Sequence, residues 1–307
     1  MVSKVTAAVI ILSATLFSIP VYAETIEPAP PQAAAGDQAT PAKLDLLPAD
    51  HVAKPDDVDV ENFNLKYLTG YLVDTGRIIA APVRWESSDW LKLGLVLGGT
   101  GALFFIDDEV KDFAQDNQHS VGRGIASFGN TIGEPLNAVP ALTAFYLYGY
   151  LADDSKARRV SLLAMESFAI SGVAMSTIKT LAKRHRPKTG HRSVEWDGPE
   201  WNSDNFSFGS GHTSSAFSLA TVFADEYKDN PYVPPVAYGL ATLVGLSRIY
   251  SNEHWASDAF FGAALGYFTS KAILSFHKED KSKSANRLSI MPEVGSQMTG
   301  LTVKYDF

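Results

Sequence analysis

The sequence predicts an all-α fold, a helical bundle with a short C-terminal β-hairpin, and two observations lead there. Apolar residues recur at helical spacing from about Leu65 to Phe276, in segments parted by short polar or Gly/Pro breaks, with almost no strand-like alternation. Alternation surfaces only at the end of the chain, where Leu301, Val303, Tyr305 and Phe307 interleave with polar residues.

Taken in order, the chain opens with Lys4 and an apolar run from Val5 to Val21, ending Val21-Tyr22-Ala23. A basic start, an apolar middle and a small residue at the end read as a secretory signal over 1–23, which places the mature protein in the periplasm or cell envelope. Residues 24–64 are rich in Pro and Ala, lack a hydrophobic period and read as a disordered linker. Residues 65–277 form the expected helical domain, with helices near 65–85, 88–105, 108–117, 135–152, 156–184, 212–228, 234–250 and 255–276. Residues 278–307 then supply a charged break and the hairpin, which Gly295-Ser296 can turn.

Several of these helices are apolar enough to raise the question of a membrane. Glu166 and Lys271 interrupt two of them, Glu134 with Asn137 opens a third, and the mean hydropathy is only −0.02. Most runs reach roughly 14 to 18 residues against the ~20 that a span needs. The expectation is a compact exported bundle peripheral to a membrane, with an integral, polytopic protein as the alternative. A formal net charge of −8 argues against nucleic acid as a partner, and the absence of cysteine excludes disulfides and thiol chemistry.

Three short segments carry the chemistry. The first is Lys179-Thr-Leu-Ala-Lys-Arg-His-Arg186-Pro187. On a continuous helix Lys179 and Arg186 lie two turns and about 10 Å apart on one face, close enough for both side chains to reach one anion. On its own this segment also reads as a solvated basic helix end. The second is Gly209-Ser210-Gly211-His212, ahead of a helical run. Helix-start amides aim at an anion, Ser210 offers a hydroxyl and His212 a proton. Alone, it is also an ordinary turn with an N-cap.

The third is Ser247-Arg248 followed by His254 and Asp258. Four residues apart at a helix start, an imidazole and a carboxylate can meet. The acid fixes the tautomer and leaves the other ring nitrogen free to attack, while Arg248 grips oxyanions in fork geometry. A capping Asp beside a surface His is the plainer reading. Geometry of this kind does not say which histidine attacks.

Together these segments resemble the signature of the superfamily joining type 2 phosphatidic acid phosphatases and vanadium haloperoxidases, in its lipid-phosphatase-like branch. One departure is Gly209, where the family usually has Pro. The resemblance implies that Lys179, Arg186, Arg248, Ser210 and the backbone of Gly211 hold phosphate oxygens. It implies that His254 attacks phosphorus with Asp258 orienting it, that His212 protonates the leaving alcohol, and that no metal or other cofactor is used. Vanadate is then expected to bind as a phosphate mimic.

The implied activity is hydrolysis of phosphate monoesters or pyrophosphates, with phosphorylated lipids as favoured substrates. A soluble non-specific acid phosphatase, a vanadium-dependent haloperoxidase and a non-catalytic envelope protein remain alternatives. Trp196, Trp201, Phe206 and Phe208, in the loop between the first two segments, either overhang the pocket or pin the loop. Asp107, Asp108, Glu109 and Asp112 are expected as a solvated helix start, and His51, His119, His185, His191 and His277 as structural or solvent-facing.

Overall fold

The computed structural model describes residues 62–199, 205–285, 288–294 and 299–305. The expected leader, most of the Pro/Ala-rich linker with His51, Trp201, the Gly295-Ser296 turn and Phe307 lie outside the described residues.

The described residues form an all-α bundle: α1 (Leu65–Ala80), α2 (Ser87–Phe104), α3 (Asp107–Asp116), α4 (Ser120–Ile132), α5 (Pro135–Leu151), α6 (Ser155–Ala182), α7 (Gly211–Glu226), α8 (Val233–Tyr250) and α9 (Ala256–Ala285). Beyond it, β1 (Leu288–Val294) and β2 (Thr299–Tyr305) pair antiparallel in a register that sets Leu288 opposite Tyr305. Polar caps mark several starts. Asn64 accepts from the Tyr67 amide at 2.8 Å, Asp154 from Ala157 at 3.0 Å, and the His119 ring Nδ1 from Gly122 at 2.9 Å.

α6 is the axis of the bundle. It packs against α5, α7 and α9, and its residues Val160, Leu162, Leu163, Ala164 and Ile170 form a core with Tyr67, Leu142, Val222, Ile273 and Leu274. α7, α8 and α9 pack on one another in turn, and α4 lies on α8. α4 has no counterpart among the expected helices. Gly122, Gly124 and Gly129 weaken its helical signal, since glycine is a poor helix former. Their use is close approach: a Cβ on Gly129 would stand 2.0 Å from Ser247 Oγ, and one on Gly122 would stand 2.3 Å from the Tyr250 hydroxyl.

Two other boundaries differ from expectation. α6 stops at Ala182, where Lys183 takes a left-handed conformation (φ 49°), so Arg186 lies beyond the helix in extended backbone. The residue before a proline is driven to that region. The run expected as a charged break is helical as far as Ala285, because its Lys, Glu and Ala residues are good helix formers.

α6 and residues 256–278 of α9 are each long and apolar enough to cross a membrane, and α2 with α3 would qualify as one segment bent by 57°. Two of the charges that broke the apolar pattern have partners within the fold. Glu166 is buried against Tyr67 and His277, and Lys271 donates to Asp225 at 2.9 Å. Meanwhile Trp90, Leu91, Leu95, Leu136, Leu147, Leu151, Val236 and Leu240 are exposed on α2, α5 and α8.

Candidate active site

The end of α6, the start of α7 and the α8–α9 turn meet at one place. Glu253 and His254 amides both donate to the Arg248 carbonyl, at 3.0 and 3.3 Å, closing a tight turn in which Asn252 has a left-handed φ of 59°. The loop after α6 is tied to that turn twice. Lys188 N–H donates to the Asn252 carbonyl at 3.1 Å and the Trp255 indole donates to the His185 carbonyl at 2.8 Å. This loop, rather than a shared helix face, brings Arg186 to the site. The start of α7 is fixed by the Ser210 amide, which donates to the Asp258 carbonyl at 2.9 Å.

Asp258 is fully buried and held from several sides. Arg184 Nη1 donates to Oδ1 at 2.6 Å, while the Ser207 hydroxyl and the Trp255 amide donate to Oδ2. His254, 2 % exposed, turns Nδ1 toward Oδ2 at 3.6 Å, an ion-pair distance longer than a hydrogen bond. Burial, with Lys179 and Arg186 nearby, pushes its pKa down to about 3 against the opposing pull of Asp258. The imidazole is neutral at neutral pH and keeps its lone pair.

His212 stands at the first turn of α7. Burial, then the Arg248 and Lys179 charges, lower its pKa to about 4, while Glu134 on the neighbouring element opposes them from 3.3 Å. Lys179 is half-buried, donates to the Phe206 carbonyl at 2.7 Å, and has its Cε 3.7 Å from where a Gly211 side chain would begin. Arg248 donates to Asn130 Oδ1 at 3.0 Å. Glu253 gathers the remaining cations, bonding Arg186 closely and Lys188 at 2.8 Å.

Each sequence-derived candidate therefore falls in this region, but Ser210 is placed differently from expectation. It is fully buried, and its Oγ accepts from the Thr213 hydroxyl at 2.8 Å as the N-cap of α7. Gly209 is closely approached, since a Cβ there would lie 3.0 Å from Phe261 and 3.2 Å from the Asp258 carbonyl. Of the loop aromatics, Trp196 packs on Phe208, Phe208 on Phe261, and Phe206 on the Lys183 ammonium, so those three pin the loop to the bundle.

Sequence reasoning missed Arg184, Asp107, Asn130, Glu134 and Glu253. Arg184 is no part of a solvated basic end: wholly buried, it bridges Asp258 and Asp107 at 2.6 and 2.7 Å. Asp107 is likewise not a solvated helix start, because it also accepts from the Ser257 amide at 2.9 Å. Asp108 binds Ser193, while Glu109 and Asp112 are exposed as expected. Beside Glu134 and Asn130 opens a cleft of about 610 Å³, lined by Gln118, Arg123, Ser127, Thr131 and Asn137 among others.

Residues 161–282, which contain all three segments, match the sequence model of the PAP2 superfamily. This part of the chain is similar to that superfamily. A lipid A 1-phosphatase of Porphyromonas gingivalis is 30 % identical over 166 residues, which are 53 % of this chain and 33 % of that protein, so the chain spans about a third of its relative. Two solved structures are similar. A transmembrane PAP2-type phosphatidylglycerolphosphate phosphatase from Bacillus subtilis gives a TM-score of 0.47 at 17 % identity, over 70 % of this chain and 96 % of that one. Aquifex aeolicus LpxE gives 0.43 at 20 % identity, over 55 % and 95 %. Asn130 and Glu134 lie outside the PAP2 match, on elements that the N-terminal half adds to the site.

Proposed function

We propose that this PAP2-like protein is an exported phosphatase that removes phosphate from lipid phosphomonoesters or pyrophosphates through a phosphohistidine at His254. The observation that carries this reading is a buried His254 held between a fixed carboxylate and the basic side chains of Lys179 and Arg186. Asp258, immobilised by Arg184, orients the ring and stabilises the positive charge that develops on it, as a buried acid does in catalytic triads.

Nε2 of His254 attacks phosphorus and the ester P–O bond breaks. The departing alkoxide takes a proton from His212. Water then attacks the phosphohistidine, giving its proton to the now neutral His212, and phosphate leaves with His254 restored. Lys179, Arg186 and Arg248 carry the charge of the equatorial oxygens, assisted by the Gly211 amide. A dianionic phosphate adds negative charge beside His212, reverses the field of Arg248 and Lys179, and so supplies the protonated acid that the first step needs.

Lipid substrates are supported by the apolar surface left exposed on α2, α5 and α8 and by the length of α6 and α9, which suit a membrane-bound protein. The polar cleft beside Glu134 lies on the general-acid side, where the leaving group departs, and its hydroxyl, amide and Arg123 side chains suit a hydroxylated headgroup. Export rests on the leader at 1–23. The test is phosphate release from a panel of lipid phosphates beside a soluble aryl phosphate. Wild-type protein is expected to prefer the lipids and a folded His254→Ala variant to be inactive; turnover by that variant refutes the mechanism, and a preference for the aryl ester refutes the lipid assignment.

A further inference from the structure

A second polar cluster lies away from the phosphate site and does no work in the proposed reaction. Asp74 of α1, Glu166 of α6 and His277 of α9 are buried together in the core. Each offers one donor atom, and the donors all lie within 4.8 Å of one another. His277 Nε2 is 2.9 Å from Glu166 Oε2 and 3.4 Å from Asp74 Oδ2. Lys179 lies 13 positions beyond Glu166 along α6, about 20 Å at helical rise, so this cluster is separate from catalysis.

We propose that these residues form a structural divalent-metal site, best suited to zinc. Two carboxylates and an imidazole are a hard-to-borderline donor set of the kind that zinc accepts. Zinc with N and O ligands at about 2.0 to 2.1 Å in a tetrahedron sets its donors about 3.3 Å apart. The measured 2.9 and 3.4 Å bracket that spacing. The second carboxylate oxygen of Glu166, Oε1, is buried with no hydrogen-bond partner, in a side chain 1 % exposed. An acceptor-only atom stranded in a core is costly unless a cation or donor meets it. Tyr67 donates its hydroxyl to Glu166 Oε2 at 2.9 Å, the outer support that a ligating carboxylate commonly has.

The purpose follows from the elements joined. α1 precedes the span matched by the PAP2 superfamily, and α6 and α9 lie within it. The ion staples α1 to the domain. Arg77, which donates to Asp74 Oδ1 at 3.2 Å, stays outside the donor set and balances part of its charge.

The rival occupant is a proton, with His277 charged and ion-paired to both acids. Untagged full-length protein purified in detergent from zinc-supplemented cells separates the two. The expected result is one equivalent of zinc by elemental mass spectrometry, retained in Tyr67→Phe and lost in His277→Gln and Glu166→Gln. Should those variants fail to fold, cobalt-grown wild-type protein gives an independent readout, the intense visible absorption of a tetrahedral site. Wild-type protein without stoichiometric metal and without the cobalt band overturns the proposal, as does zinc retained in folded His277→Gln.

Discussion

The two active-site histidines are set apart by their surroundings. His254 is enclosed with its Nδ1 toward an acid that cannot move, because Arg184, Ser207 and the Trp255 amide all hold Asp258. His212 is less enclosed and faces Glu134, whose carboxylate favours the protonated ring. That asymmetry supports the proposed roles of His254 as nucleophile and His212 as acid, which the spacing of residues alone left open. If His212 is the acid, its loss matters in proportion to the basicity of the leaving group. His212→Ala is expected to slow hydrolysis of an alkyl phosphate by roughly 10²- to 10⁴-fold, the usual worth of a positioned proton donor. Release of nitrophenol from an aryl ester in the first turnover, which needs no proton donor, is expected to fall far less. Equal losses of the first-turnover rate on both esters would remove His212 from the acid role.

At the scale of elements, α4 shows where sequence and structure part. Its glycines read as helix breakers, yet they let α4 lie close on α8 and bring Asn130 within reach of Arg248. Its apolar residues do keep a helical period, and the glycines, as poor helix formers, are what hid it. At the end of α6, the reading of Lys179 and Arg186 as one helical face failed because the helix stops at Ala182, and loop contacts restored the convergence. Helices such as α6 and α9 were legible because each carries a long, largely apolar run. Gly129→Ala is expected to destabilise the protein by about 1 to 3 kcal/mol through overpacking against Ser247. Gly124→Ala, with nothing within 4 Å of the new methyl, is expected to be neutral or stabilising. Thermal unfolding of the two variants checks this; equal melting temperatures would refute the close-approach reading.

For the molecule as a whole, the site was legible as an inventory and illegible as a framework. The residues with reactive or charged groups stand in ordered segments. Their supports do not: Asp107 is 77 positions from Arg184, and Glu134 is 78 from His212, so only folding reveals the pairing. Charges that seemed to forbid long apolar helices are the ones that the bundle buries or pairs, Glu166 with Tyr67 and His277, Lys271 with Asp225. The same fold thus leaves apolar side chains exposed on α2, α5 and α8 and gathers the polar candidate site from the ends of α6 and α8 and the starts of α7 and α9. The central claim is covalent transfer to one imidazole of that centre. Rapid quenching of the enzyme with substrate labelled in its phosphoryl group, followed by peptide mapping under alkaline conditions, tests it most directly. The account predicts an alkali-stable, acid-labile label on the peptide bearing His254, absent from His254→Ala and accumulating in His212→Ala when the substrate is an aryl phosphate, whose leaving group needs no proton while water's attack is slowed. Full turnover with no labelled protein at any quench time, or label on a peptide without residue 254, would contradict it.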